Sequence, residues 1–282
     1  MWTLFGSNGS EPYADAAVGL IAGTGDFPLL VARAAQKRRW RLVVAGVETG
    51  SDGGELARLA SNYRPFVLGE AEKLLSFFKE EGVRSTFMAG GIPKIKVYSP
   101  DFKADALAGK VLAGLAKKGD DQLLRAVTQV LKLRGIRVLD PAAVLEEEIT
   151  PKGILTRRAP TAEEMKDVEI GRKAAKAIGF LDIGQAVVVK GSSILAVEAI
   201  EGTDAMIRRV RDTGVAGAVV VKMSKPQQDL RFDMPVAGPA TIEAMRASGC
   251  SVLAVEARRS LMLHRRETAE RADAAGIAVI GL

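Results

Sequence analysis

The sequence predicts an α/β protein, with a Rossmann-like parallel-sheet domain at the N-terminal end and a distinct mixed α/β domain after it. Three observations carry this. Short, almost wholly apolar runs alternate with amphipathic stretches through the first half, the rhythm of strands that each feed a crossover helix. The runs do not alternate polar with apolar, so both faces of the sheet are covered, as in parallel sheets flanked by helices. Between Asp140 and Pro160 the rhythm breaks, with Pro141, Pro151, Gly153 and Pro160 set among charged residues.

Val18 to Gly23 reads as the first strand, Phe27 to Arg39 as a helix and Arg41 to Val47 as the second strand. Pro65 to Gly69 and Ser85 to Ala89 are further strands, separated by a helix over Glu70 to Glu81. Phe102 to Lys118 and Asp121 to Arg134 read as helices before a strand at Ile136 to Leu139. Beyond the break, Thr161 followed by Glu164 forms a capping box, because each side chain can bond the other's backbone N–H, and it opens a helix to about Ile178. Gln185 to Lys190 and Ser193 to Ala199 read as a hairpin turning at Gly191, with later strands at Ala216 to Met223, Ser251 to Glu256 and Ala278 to Gly281. Helices are expected over Asp204 to Asp212, Thr241 to Ala247 and Arg266 to Ala275. The organisation expected is a disordered leader over 1–17, the Rossmann-like domain over 18–140, a linker over 141–160 and a catalytic domain over 161–282.

Composition narrows the chemistry. A hydrophobic share of 48% in 282 residues is enough for buried cores. No apolar run approaches the ~20 residues of a membrane-spanning helix, and Met1 to Ala17 lacks the basic start and apolar block of a secretory signal. With Cys250 alone there is no internal disulfide and no cysteine metal cluster, and with His264 alone there is no multi-histidine metal site. Any bound metal is then a hard ion held by oxygen, such as Mg²⁺. The net charge of +6 favours anionic partners. No nucleic-acid motif interleaves aromatics with the basic residues, so nucleic acid is not an expected partner.

Five segments carry candidate chemistry. Gly23-Thr24-Gly25-Asp26 follows the first strand and runs into a helix, where glycines admit a phosphate to free N–H groups. Pro28 stands where a dinucleotide fingerprint wants its third glycine, so the motif departs from it; Glu48 could meet a ribose hydroxyl, though capping or solvation explains it equally well, and a nicotinamide site and a purely structural tight turn both stay open. Gly90-Gly91-Ile92-Pro93-Lys94 repeats the pattern at another strand end, and Gly119-Asp120-Asp121 adds two acids at a helix start, where helix capping is favoured over catalysis. The densest constellation is Lys222 to Pro235. Its prolines forbid a long helix, and an extended chain places Lys225, Gln227, Asp229, Arg231 and Asp233 on one side. Acids alternating with cations suit a metal–phosphate complex; the alternative is a solvated, ion-paired loop. Glu198, Glu201 and Asp204 exceed what capping by Thr203 requires and could complete an oxygen-rich cation site. His264 reads as a surface or helix-start residue, and Cys250 as a small buried hydrophobe.

At these residues the chain resembles the LpxI-type UDP-2,3-diacylglucosamine diphosphatase family of lipid A biosynthesis. The resemblance is carried in order by Gly19-Leu20-Ile21-Ala22-Gly23-x-Gly25-x-x-Pro28, Ala89-Gly90-Gly91-x-x-Lys94, Gly119-Asp120-Asp121, Asp182-Ile183-Gly184-Gln185, Glu198 to Asp204, and Lys225-Pro226-x-Gln228-Asp229-x-Arg231-x-Asp233-x-Pro235. It implies Mg²⁺-dependent hydrolysis of the substrate to UMP and 2,3-diacylglucosamine 1-phosphate on the cytoplasmic face of the inner membrane. It also implies substrate held between two domains, and a homodimer. On the combined reading, Asp233, Asp229, Lys225 and Arg231 are the expected catalytic residues. Asp229, Asp233, Glu198, Glu201 and Asp204 are the expected metal ligands. The expected substrate contacts are Gly23, Thr24, Gly25, Asp26, Gly90, Gly91, Lys94, Thr203, Lys222 and Gln228. The expected partners are the glycolipid nucleotide and an anionic membrane surface, bound peripherally. The rival functions are a nicotinamide-dependent sugar-nucleotide oxidoreductase and a non-catalytic RNA-binding or regulatory protein.

Overall fold

The computed structural model describes residues 16–49, 53–92, 94–114, 120–230 and 233–282. The leader expected over 1–17 lies almost wholly outside them. The chain divides into two compact units, Met1–Leu145 and Glu146–Leu282.

The first unit runs β1 (Val18–Ala22), α1 (Phe27–Lys37), β2 (Leu42–Val47), α2 (Gly54–Leu59), β3 (Asn62–Phe66), α3 (Ala71–Glu80), β4 (Ser85–Ala89), α4 (Ala106–Gly114), α5 (Asp120–Leu133) and β5 (Arg137–Val138). Its five strands form one parallel sheet in the order β3-β2-β1-β4-β5. Every residue of β1 and β2 is buried, which is why those strands read as unbroken apolar runs. The chain steps outward from β1 to β3, then returns to the other side of β1 for β4. The switch point therefore lies between β1 and β4, where open parallel sheets collect ligands beyond their carboxyl ends.

The sequence reading placed the third strand at Pro65 to Gly69, but it is Asn62–Phe66. This is an edge strand, half-exposed, so its first residues carry no apolar signal. The edge also tolerates Pro65, which cannot donate to a ladder. The six-residue α2 was not anticipated; it follows Gly53 in a left-handed conformation (φ 62°) and is too short to show a period.

The second unit runs β6 (Gly153–Ile154), α6 (Ala162–Phe180), β7 (Ala186–Lys190), β8 (Ser193–Val197), α7 (Thr203–Val210), β9 (Ala218–Lys222), β10 (Val236–Ala237), α8 (Pro239–Ala247), β11 (Cys250–Val255), β12 (Leu261–Met262), α9 (Arg265–Ala274) and β13 (Ala278–Gly281). The main sheet has the order β6-β13-β11-β9-β7-β8, and β10 pairs separately with β12. β9, β11 and β13 are mutually parallel, whereas β6, β7 and β8 join antiparallel. Strand period sorts the valines between two cores. Val188 and Val220 pack with Met206, Ile242 and Met245 on one face, and Val187, Val189, Val219 and Val221 pack with Val168 and Ala175 of α6 on the other.

The capping box forms as expected: Glu164 N–H donates to Thr161 Oγ1 at 3.2 Å, and Thr161 N–H donates to Glu164 Oε2 at 2.8 Å. Within the stretch read as a linker, β6 joins the sheet by pairing with β13, and Asp140 caps a 3-10 turn over Pro141–Ala143. A two-residue strand sets no periodicity, so the sequence carries no sign of it.

Candidate functional site

In the first unit, both glycine loops lie at the switch point and bond to one another. Gly23 N–H donates to Ala89 O (2.8 Å), Thr24 N–H to Gly91 O (2.8 Å) and Gly91 N–H to Thr24 O (2.9 Å). Thr24 Oγ1 adds a bond to Gly91 O at 3.0 Å. A Cβ on Gly23 would lie 2.4 Å from that same carbonyl, so the approach requires glycine. Two loops read separately from the sequence thus form one element, with Thr24, Gly25, Asp26, Gly90 and Gly91 exposed on it. Asp26 occupies the N-cap of α1 without capping it through its side chain, and Pro28 sits in the helix's first turn. Lys94 opens a 3-10 turn, Lys94–Tyr98, after this element.

Glu48, considered for a ribose hydroxyl, is engaged by its own domain. It accepts from Lys96 Nζ and from Leu68 N–H at 2.9 Å. The Lys96 ammonium holds its carboxyl below the usual carboxylate range, assisted by the Leu68 bond.

In the second unit, β9 delivers the chain into the Lys222–Pro235 loop at the carboxyl edge of the parallel strands. Lys222 is buried and donates to Val236 O at 2.7 Å, closing the base of the loop. The Lys225 side chain is 6% exposed and paired with Asp182. Gln228, also buried, is the hub. Its Oε1 accepts from Lys225 N–H at 2.9 Å, and its Nε2 donates to Asp233 Oδ2 at 2.7 Å and to Gln185 Oε1 at 3.3 Å. Asp233 N–H donates to Asp229 O at 3.2 Å, which ties the two aspartates to one turn. The loop therefore brings together Lys225, Gln228, Asp229 and Asp233. Arg231 lies outside the described residues.

The five acids expected to hold Mg²⁺ are not gathered at one point. Among the described residues no group of three or more His, Cys, Asp or Glu side chains is arranged to hold a metal ion. Buried Glu198 accepts from Gln185 N–H (3.0 Å) and Thr203 Oγ1 (2.7 Å). Glu201 pairs with Arg209 at 2.9 Å, and Asp204 accepts from Thr241 Oγ1 at 3.1 Å. These three carboxylates accept from neighbouring donors of the same unit, and the Thr203 hydroxyl, expected to touch substrate, is one of those donors. Mg²⁺ is commonly held by one or two carboxylates plus substrate phosphates. Asp229 and Asp233, linked through the Asp233 N–H to Asp229 O bond, are hard-oxygen residues of the kind that mode uses.

Sequence reading missed Glu256, at the end of β11. It accepts from Ser224 N–H at 2.9 Å and from Ser224 Oγ, and Arg259 Nε donates to Ser224 Oγ at 2.9 Å. Lys176 Nζ lies 3.7 Å from the same carboxylate. The nearest sequence signal was only that an acid ends a buried strand at the ligand edge. His264 sits at the N-cap of α9 in a left-handed conformation (φ 48°), and Cys250 is buried, its thiol pushed up to about 11 by desolvation.

Comparison with known proteins agrees with this division. Residues 17–148 match the family model described as the LpxI N-terminal domain, and residues 151–280 match the LpxI C-terminal domain. The chain is 35% identical over 279 residues to UDP-2,3-diacylglucosamine pyrophosphatase LpxI of Caulobacter vibrioides, covering 94% of this chain and 97% of that protein. With both halves matched in order along nearly the whole length, the chain belongs to the LpxI family.

Proposed function

We propose that this chain is a hydrolase of the diphosphate bond of UDP-2,3-diacylglucosamine in lipid A synthesis, releasing UMP and 2,3-diacylglucosamine 1-phosphate. The observation that supports it most is the end-to-end similarity to the Caulobacter pyrophosphatase, joined to a loop that carries a buried lysine and two aspartates at one strand end. Phosphoryl transfer depends chiefly on positioning and electrostatic stabilisation, so a site without histidine suffices.

Asp229 and Asp233 would hold Mg²⁺ together with phosphate oxygens, and the ion when bound supplies charge neutralisation at the transferring phosphoryl group. Lys225 supplies a fixed positive charge whose burial strengthens its field. Gln228 keeps Asp233 oriented. Arg231 joins Lys225 in this reading as a second cation. The glycine loops of the first unit are read as a phosphate-binding element, on the strength of their place at the switch point. Incubation with the glycolipid nucleotide and Mg²⁺, with and without chelator, tests the reading: UMP and the lipid phosphate form only without chelator. Persistence of substrate in both would refute it.

The reading places attack on the phosphorus attached to glucosamine. Hydrolysis in ¹⁸O-water is expected to label the lipid phosphate, and label in UMP would show the diphosphate to lie in the opposite sense.

Among the described residues no helix is long and apolar enough to cross a membrane. A cytoplasmic protein, assembled as a homodimer, would meet its diacylated substrate at the inner face of the inner membrane, drawn by its net charge of +6. Binding to anionic vesicles at low ionic strength, and release as salt shortens the Debye length to roughly 10 Å at ~0.1 M, is the expected result of co-sedimentation. Equal sedimentation with neutral vesicles would remove the electrostatic part.

A further inference from the structure

Two segments outside the Lys222–Pro235 loop reach into it. The first is the turn after α6. Asp182, held there in a left-handed conformation (φ 56°), pairs its carboxylate with the buried Lys225 ammonium, and the carbonyl of Gly179 accepts from Gln227 Nε2 at 2.8 Å. The second is Gln185, whose carbonyl accepts from Met223 N–H at 2.9 Å and whose side chain accepts from Gln228. Gln185 is itself held by Glu198, which accepts its N–H through one oxygen and the Thr203 hydroxyl through the other. A Cβ on Gly184 would lie 2.2 Å from the Glu198 carbonyl, so only glycine lets the two segments close this far. A continuous run of bonds therefore leads from Thr203 through Glu198, Gln185 and Gln228 to Asp233.

We propose that Asp182 and Glu198 are positioning residues of the reaction: Asp182 fixes the Lys225 ammonium, and Glu198, through Gln185 and Gln228, fixes the Asp233 carboxylate. This rests on the reading of the loop as the reaction site. The physical reason is preorganisation. A lysine stem has four rotatable bonds and an aspartate on a loop has its backbone freedom, whereas a displacement of about 1 Å at a reacting group costs up to ~10²-fold in rate. Neither residue touches the substrate. Glu198 has both oxygens engaged by protein donors and is buried, which suits a structural acceptor and not a metal ligand.

The test compares Asp182→Asn, Glu198→Gln and Glu198→Ala with the unmodified protein. Three readouts are taken: kcat and KM for the glycolipid nucleotide, the Mg²⁺ concentration for half-maximal rate, and hydrogen exchange of the 223–230 amides by mass spectrometry. A glutamine at 198 can accept from Gln185 N–H and donate to Thr203 Oγ1, so Glu198→Gln is expected to stay within about threefold of the unmodified protein on every readout, with its loop protected. Glu198→Ala and Asp182→Asn are expected to lose kcat on the order of 10-fold or more with KM within about threefold, and to exchange faster over 223–230. A Glu198→Gln variant that needs far more Mg²⁺ while its loop stays protected would make Glu198 a metal ligand and overturn the proposal. Full kcat or undisturbed exchange in Asp182→Asn would overturn the Asp182 half. Absence of turnover by the unmodified protein would instead overturn the functional reading, and the exchange pattern would then decide by itself: loosening in Asp182→Asn and Glu198→Ala but not in Glu198→Gln supports the positioning contacts, and no loosening refutes them.

Discussion

Asp233→Ala is expected to lower kcat on the order of 10²-fold or more, with a modest change in KM, and Asp229→Ala to do nearly the same. Such a loss is comparable to removing one strong electrostatic stabiliser from a preorganised site. The selectivity for kcat follows from differential binding. A carboxylate that holds a metal ion or orients water acts mainly on the transition state, while uridine and acyl contacts elsewhere supply ground-state affinity. Stability is little affected. Asp233 is half-buried and loses one bond from Gln228 Nε2, a net cost of about 1 kcal/mol. A variant that melts normally and traps intact substrate is therefore the expected outcome. Near-normal turnover in both variants would take this loop out of the active site and move attention to Asp120 and Asp121.

Acid is expected to weaken the second unit through Glu164. Burial alone would raise its pKa, but Nη1 and Nη2 of Arg158, the Ser251 hydroxyl and Thr161 N–H donate to it and lower it from 4.5 to about 2. A folded-state pKa below the unfolded value contributes stability that is complete above about pH 4.5 and lost as the pH falls through about 2. At 1.36 kcal/mol per unit, that contribution is about 3 kcal/mol. The site joins three parts of the unit, since Arg158 Nε also donates to Gly276 O at 2.9 Å and Ser251 belongs to β11. Glu164→Gln is expected to lose about 2 kcal/mol at neutral pH and to flatten the fall in stability between about pH 4.5 and 2. Urea unfolding across that range checks it; parallel pH slopes in the two proteins would contradict it.

The buried parallel strands were legible because covering both faces leaves little room for polar side chains, so β1, β2 and the Ala218 to Val221 part of β9 read as apolar runs. The capping box of α6 was legible because it is a local contract between residues three apart. β3 was misplaced and β6, β10 and β12 unseen, because an edge strand is half-polar and a two-residue strand has no period. At the site, the prolines and alternating charges of the Lys222–Pro235 loop marked it from sequence alone. What they could not show was direction. Glu198 and Asp204 read as spare acids, yet hydrogen-bond donors from the same unit engage both carboxylates. The loop's partners Glu256 and Asp182 lie 32 and 43 positions from the residues they hold, beyond the reach of any local pattern.

The most direct measurement is ³¹P NMR of the purified protein acting on UDP-2,3-diacylglucosamine in the presence of Mg²⁺. The expected result is that the two diphosphate resonances give way, in equal amounts, to two phosphomonoester resonances, those of UMP and of the lipid phosphate. Diphosphate resonances that persist, or that are replaced by inorganic phosphate, would contradict hydrolysis of that bond by this protein.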